Sequence, residues 1–457
     1  MLSFLGRRVR LCDGLSRREV LRVGGLGVSG LLWSDLLRAR ASAGTAATRT
    51  FGRARSCILV FNYGGPSHLD LWDLKPDAPR EIRGEFHPIA TRVPGTSVGE
   101  HLPRLAAVAD RYAILRSVNH VDNDHAVGTY LALTGHPHPR SRPLGVEPAA
   151  SPLDMPSLGS VISKLRRPAT PTFPYVTLGL LSHLGNHDSM GQDAGCLGKV
   201  YDPFTVPEGA RDTSGVRSLL GAGAGPRLAG RRRLQQEVSR VAGAWEATAG
   251  TRDHDGFTRR AYEVLASDTS REAFDLDREP TEARDFYGSS ALGRNCLLAR
   301  RLVEAGVPLV TVYSVPNRDW DTHANNFKDL KEKLLPDTDR ALSSLLVDLE
   351  RRGLLGETLV VWMGDMGRTP RINPAAGRDH WSFCYSVVMA GGGVRGGQVY
   401  GSSDRNAAYP ASDPVGPADV LATIYHALGV DHRARVTDQQ GRPFAIGTGE
   451  PILSLLG

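Results

Sequence analysis

The stretch from Thr358 to Trp381, TLVVWMGDMGRTPRINPAAGRDHW, decides how this chain reads. It opens on a run of β-formers, Thr358-Leu359-Val360-Val361-Trp362-Met363, the composition of a buried strand. The run stops at Gly364-Asp365, and a second acid and a histidine follow at Asp379-His380. A buried strand that ends on a carboxylate delivers that charge to the carboxyl edge of a sheet, where open α/β folds place their ligands. An acid there, with a histidine returning on the next loop, is a way to hold a divalent metal. A metal-assisted hydrolase is the leading expectation.

Upstream, Asp337 to Arg352 has the pattern of a helix, with Leu342, Leu345, Leu346 and Leu349 on its apolar face. Before it, the β-branched run Leu309 to Tyr313 predicts another buried strand. Strand, long helix and strand make a βαβ unit, so the sheet is at least partly parallel. Further strands are expected at Cys57–Phe61, Tyr112–Leu115, Pro174–Leu178 and Cys384–Met389. Further helices are expected at Ala126–Leu133, Ala291–Glu304 and Pro417–Leu428. Residues 136–156 read as a long loop rich in proline and histidine. The span 202–284 reads as a helical insertion over the sheet. The fold class is α/β, a doubly wound and largely parallel sheet flanked by helices.

At 457 residues, 41% apolar and 23% charged, the composition is that of a globular protein. It has no hydrophobic span long enough for a transmembrane anchor. The formal charge of +6 comes mostly from residues 1–43, where eight arginines stand against three acids. That leaves the remainder near neutrality and argues against nucleic-acid binding. Within that leader, Ser16-Arg17-Arg18-Glu19-Val20-Leu21 precedes a mildly apolar stretch and Ala41-Ser42-Ala43. The pattern resembles the twin-arginine export signal, which implies a mature chain from 44 to 457 in the periplasm or outside the cell. The other reading is an arginine-rich amphipathic N-terminus. Cys57, Cys196, Cys296 and Cys384 are widely spaced with no C-x-x-C pair, and are expected as buried small hydrophobes.

The candidate ligands fall at strand ends. Asp321 and His323 follow the strand 309–313, Asp365 follows the next, and His380 lies on the loop beyond. His125 begins the helix after the second strand, and His68, Asp70 and Asp73 follow the first. Mixed carboxylate and imidazole donors suit zinc, manganese or a related ion better than magnesium alone, and calcium stays among the identities left open. Any one of these residues, taken alone, reads equally well as a capping aspartate or a satisfied core histidine.

The helix and the run Gly353-Leu354-Leu355-Gly356-Glu357-Thr358-Leu359-Val360-Val361-Trp362, then Gly364-Asp365-Met366-Gly367, resemble the sulfatases and phosphodiesterases of the alkaline phosphatase superfamily. His125 through Leu133-Thr134-Gly135 is similar to their nucleophile helix. The mature chain as a whole resembles an exported sulfatase-like family of unknown function. That resemblance rests on Gly64-Gly65-Pro66-Ser67, Asp70 with Trp72-Asp73, Trp320-Asp321-Thr322-His323, Gly367-Arg368-Thr369-Pro370 and Gly377-Arg378-Asp379-His380-Trp381.

The resemblance implies a divalent-metal site for sulfate or phosphate esters, small-molecule or polysaccharide. Asp365, Asp321, His323 and His380 would be metal ligands, and Asp70 or His68 would stand in for the missing first-strand aspartate. Three departures mark this chain: Met366 beside the metal acid, Asn62 and Gly64-Gly65 at the end of the first strand, and His125 where a serine, threonine or cysteine nucleophile would be. They point to attack by a metal-activated water, with His125 as ligand or general base; Arg368 and Arg378 read equally as clamps for an anionic oxygen or as surface arginines pairing with nearby acids. The alternative is a catalytically silent binding or scaffold protein on the same fold. A phosphomutase-like enzyme is disfavoured by the absent nucleophile. Oligomeric state is not legible.

Overall fold

The computed structural model describes residues 50–138, 150–183, 187–188, 190–207, 209–211, 213–222, 249–314 and 319–457, with a few positions between 223 and 248. The leader and most of the loop 136–156 lie outside the described residues, as does the middle of the 202–284 span.

Eight strands form the central sheet: β1 Ser56–Asn62, β2 Tyr112–Val118, β3 Tyr175–Leu178, β4 Phe204–Val206, β5 Leu309–Tyr313, β6 Thr358–Gly364, β7 Tyr385–Ala390 and β8 Val399–Tyr400. Their spatial order is β8-β2-β7-β6-β1-β5-β3-β4. β1 pairs in parallel with both β5 and β6, and the parallel pairing continues through β3 to β4. β7 runs antiparallel to both of its neighbours, β6 and β2. The largely parallel sheet expected from the βαβ pattern is the observed one.

Alternation along the strands feeds two cores. Ile58, Val60, Val310, Val312, Val360 and Trp362 pack with Leu298, Leu302, Leu342 and Leu345 from helices α3 (Ala291–Glu304) and α4 (Leu335–Arg351). Leu59, Phe61, Leu309, Val361 and Met363 point the other way. They meet Leu133 of α1 (His125–Thr134), Val161 of α2 (Leu158–Leu165) and Leu421 of α5 (Pro417–Ala427). A parallel sheet buried on both faces needs helices on both, which is why its strands read as unbroken apolar runs.

The insertion differs from its reading at its first residues. Phe204–Val206 extends the sheet edge, and the described helices follow at Ser214–Ala222, Ala249–Leu265, Asp268–Ala273 and Thr281–Tyr287. Three residues at a sheet edge are too few to show a strand periodicity. Helix α4 begins two residues before Asp337, running on from a π-turn at Leu330–Leu334. All four described cysteines are buried and free. No helix among the described residues is long and apolar enough to cross a membrane.

Candidate metal centre

Because β6 and β7 are antiparallel, the loop between them leaves and re-enters the sheet at one edge, the carboxyl edge of the parallel strands. That brings Asp365 and His380 together with Asp321, which follows β5. Helix α1 then adds His125 as its first residue.

Two glycines permit the approach. Gly64 sits at φ +108°, and a Cβ there would stand 2.6 Å from Asp321 N. A Cβ at Gly128, one turn into α1, would meet Asp365 O at 3.0 Å. Asp124 caps α1, accepting from Ala126 N at 2.9 Å and Val127 N at 3.4 Å. His125 therefore has no capping to do, and its ring turns into the site, with 2% of it exposed.

Asp321 Oδ1 is the hub. His125 Nε2 lies 3.2 Å from it, His323 Nε2 3.1 Å and His380 Nε2 3.3 Å. His323 Nε2 and His380 Nε2 are 3.0 Å apart. Each ring is pinned from behind at Nδ1: His125 by Asp365 Oδ2, His380 by Asn123 O at 2.8 Å, and His323 by Asp379 Oδ1 at 2.6 Å. A carbonyl or carboxylate oxygen only accepts, so each Nδ1 carries a proton and each ring turns its Nε2 inward. His125 Nε2 is buried and makes no hydrogen bond of good geometry. Ligands about 2.0–2.1 Å from a tetrahedral ion stand about 3.3 Å from one another, so these spacings fit a small cation. His125, Asp321 and His380 form a group that could hold a metal ion. His323 borders it from the open side, with 46% of its side chain exposed.

The electrostatics agree with that arrangement. Burial pushes the Asp321 carboxyl up, but the bonds to His125 and His380 and the charge of Arg368 hold it far below the ordinary carboxylate range. Burial likewise raises Asp365, and the His125 imidazole outweighs it, so Asp365 also titrates low. For His125, burial pulls downward, and Asp365 with Asp321 reverses it, leaving the imidazole above its ordinary value. Two carboxylates around one buried imidazole demand positive charge, which a proton or a metal can supply.

Some expected site residues are placed elsewhere. The Asp365 carboxylate stands behind His125 and accepts Gly64 N at 3.1 Å, an orienting position. Asp70 is not brought to the cluster. It is fully buried and bound to Arg378 at 2.9 and 3.0 Å, to Ser67 Oγ at 2.6 Å and to Asn326 Nδ2 at 2.9 Å. His68 Nε2 donates to Ala407 O, 2.8 Å away, outside the cluster too. Asp73 is held by Lys75 at 3.0 Å and by Ser403.

Arg368 and Arg378, read as anion clamps or surface residues, are neither free nor exposed. Arg368 binds Gly65 O at 2.9 Å, Arg378 O at 3.2 Å, Gly64 O, and Asp321 Oδ1 at 2.5 Å. Arg378 spends its remaining donors on Ile82 O at 2.8 Å, Thr369 O at 3.1 Å and Pro370 O. A buried guanidinium must satisfy its N–H groups locally, and these two tie the site loops together. Asn123 and Asp379 were not expected to support rings. Asp379 had one signal, its position beside His380.

The profile of the DUF1501 family, proteins of unknown function, matches residues 54–456. This chain belongs to that family. No protein of curated function matches this DUF1501 member in sequence. Among solved structures it is similar to Ps i-CgsB in complex with k-i-k-neocarrahexaose, at TM-score 0.43 and 11% identity, over 87% of this chain and 75% of that one. It is also similar to the PsFucS1 sulfatase from Pseudoalteromonas sp., at TM-score 0.36 and 12% identity, over 84% and 71%. A third is alkaline phosphatase from the Antarctic bacterium TAB5, at TM-score 0.32 and 12% identity, over 79% and 96%.

Proposed function

We propose that this chain is a metal-dependent hydrolase of sulfate or phosphate esters, exported to the cell envelope, with an activated water as nucleophile. The observation that carries the reading is the convergence of three imidazole Nε2 atoms on Asp321 Oδ1, each ring pinned at Nδ1. His125, His323, His380 and Asp321 would hold the ion. Zinc or manganese suits this imidazole-rich set, whereas calcium takes six to eight oxygens. Once bound, a divalent cation would polarise an ester oxygen and lower the pKa of a water.

The protein's own part is positional. Asp365 keeps the proton on His125 Nδ1, so that Nε2 faces the site. Asn123 does the same for His380, and Arg368 fixes Asp321 from the buried side. The half-exposed His323 and Asp379 mark the side from which an ester approaches.

A second reading, a silent binding or scaffold protein with a retained metal, draws on a different observation. Arg368 and Arg378 are consumed by backbone carbonyls and carboxylates, so neither is free to take an ester oxygen. The deciding experiment is metal content of the purified mature protein, followed by assays with aryl sulfate, phosphate monoester and phosphodiester. Turnover lost on chelation and restored by one metal selects the hydrolase. Stoichiometric metal without turnover of any ester selects the scaffold.

A further inference from the structure

His125, His323, His380 and Asp321 each turn one ligand atom inward, at spacings that fit the corners of a tetrahedron. Four protein donors around a tetrahedral ion are the pattern of structural sites. Catalytic sites keep three and leave a corner open. One of the four must therefore leave for an ester to reach the ion. His125, Asp321 and His380 already make up a metal-holding group without His323.

Those three are held from the buried side. The His125 side chain is 2% exposed, and swinging it out would strand Asp321 and Asp365 as carboxylates without their shared partner. Asp321, 14% exposed, is gripped at 2.5 Å by the fully buried Arg368. His380 is 27% exposed. Its Nδ1 meets the carbonyl of Asn123, and its backbone pairs with Arg368 in a short antiparallel ladder.

His323 differs on each count. Its side chain is 46% exposed, and the carboxylate behind it, Asp379, is 51% exposed. The backbone beneath the ring is fastened. Asn373 Nδ2 donates to His323 O at 2.8 Å, Arg378 N to Thr322 O at 2.9 Å and Asn326 N to Ala376 O at 2.9 Å. Gly377 packs so close that a Cβ there would lie 2.0 Å from His323 O. The loop stays, and the ring alone turns about its side-chain torsions, a fast motion for an exposed residue. Asp379 Oδ1 also accepts from Asn373 Nδ2 at 3.1 Å, so that carboxylate keeps a partner when the ring goes. Water satisfies the freed imidazole, and no buried charge is left alone.

We infer that His323 is a displaceable ligand, closing the ion's coordination in the free protein and giving up its corner to an anionic oxygen of the substrate. The inference rests on the metal reading of the site, and not on turnover of an ester.

Visible absorption of the mature protein loaded with cobalt(II) tests it, because the ligand-field bands follow the number and kind of donors. Inorganic phosphate is the probe. Parent and His323→Ala should both hold cobalt stoichiometrically and show different spectra without phosphate. Saturating phosphate should bring them to one spectrum, since the same three donors and the same anion then surround the ion. The variant should bind phosphate about tenfold or more tighter, because no ligand has to leave first. Tm of the two apoproteins should match, which excludes unfolding as the cause.

Identical spectra before phosphate would show that His323 is no ligand, and spectra that still differ at saturation would show that it stays bound. Either result overturns the inference. So would a variant that takes up no cobalt at millimolar metal, since the fourth donor would then be indispensable. A parent that takes up no cobalt removes the metal reading itself, and this consequence with it.

Discussion

His323 and His380 face each other through their Nε2 atoms at 3.0 Å, while both Nδ1 atoms are occupied by oxygen acceptors. Two neutral imidazoles in those tautomers set lone pair against lone pair, an arrangement that only a shared cation or an added proton relieves. From this contact the behaviour of the site follows in measurable terms.

His380→Ala should lower metal occupancy measured by elemental analysis of purified protein. An ion present at a hundred times its Kd stabilises the folded state by about 2.7 kcal/mol. Chelation should therefore reduce Tm of the parent clearly and that of the variant little. Equal occupancy in parent and variant would remove His380 from the ligand set.

Asp365→Ala separates orienting from ligating. Loss of a group that orients a ligand typically costs about 10–100-fold in metal affinity, leaving binding detectable at raised metal. Competition with a chromophoric chelator would read this directly. Complete loss of binding at millimolar metal would make Asp365 a ligand itself.

Asp70 and Arg378 form a fully buried, two-pronged ion pair. Removing one partner strands the other charge, so Asp70→Ala should cost about 3–5 kcal/mol by denaturant unfolding. Metal content of the folded fraction should stay at the parental level. A large drop in occupancy with intact stability would return Asp70 to the metal site.

Glu279 sits between Arg300 at 2.7 Å and Arg301, far from the site. Burial raises its carboxyl, but the two arginines prevail and hold it below the ordinary value of 4.5. A depressed folded-state pKa gives stability that is present above the unfolded value and disappears as pH falls through the folded one. Glu279→Gln should therefore lose stability near neutral pH, with the gap to the parent narrowing as acid titration proceeds below about pH 4.5. Parallel stability curves down to pH 3 would show that the pair contributes no such linkage.

Export is tested at Arg17 and Arg18. Replacing both with lysine should trap the precursor in the cytoplasm, as followed by cell fractionation. Normal export of that variant would reject the twin-arginine assignment.

Read alone, the chain disclosed six of the eight central strands and the main helices, because a sheet buried on both faces leaves unbroken β-branched runs and its helices leave apolar stripes; the short edge strands β4 and β8 carry no such run. It also pointed to His125, Asp321, His323, Asp365 and His380, since strand ends are local features, but it set Asp70 and His68 beside them, which the fold holds elsewhere. Which carboxylate meets which partner was another matter. Asp365 meets His125 across 240 positions, and Arg378 claims Asp70 across 308. Only the sheet order and the antiparallel return of β7 set those pairings. The same packing buried two arginines that look solvent-facing in sequence, because burial depends on what lies above a loop. It also fixed each imidazole's tautomer through Asp365, Asn123 and Asp379. A ring's bare nitrogen is chosen by whatever sits behind it, and that neighbour is supplied by the fold.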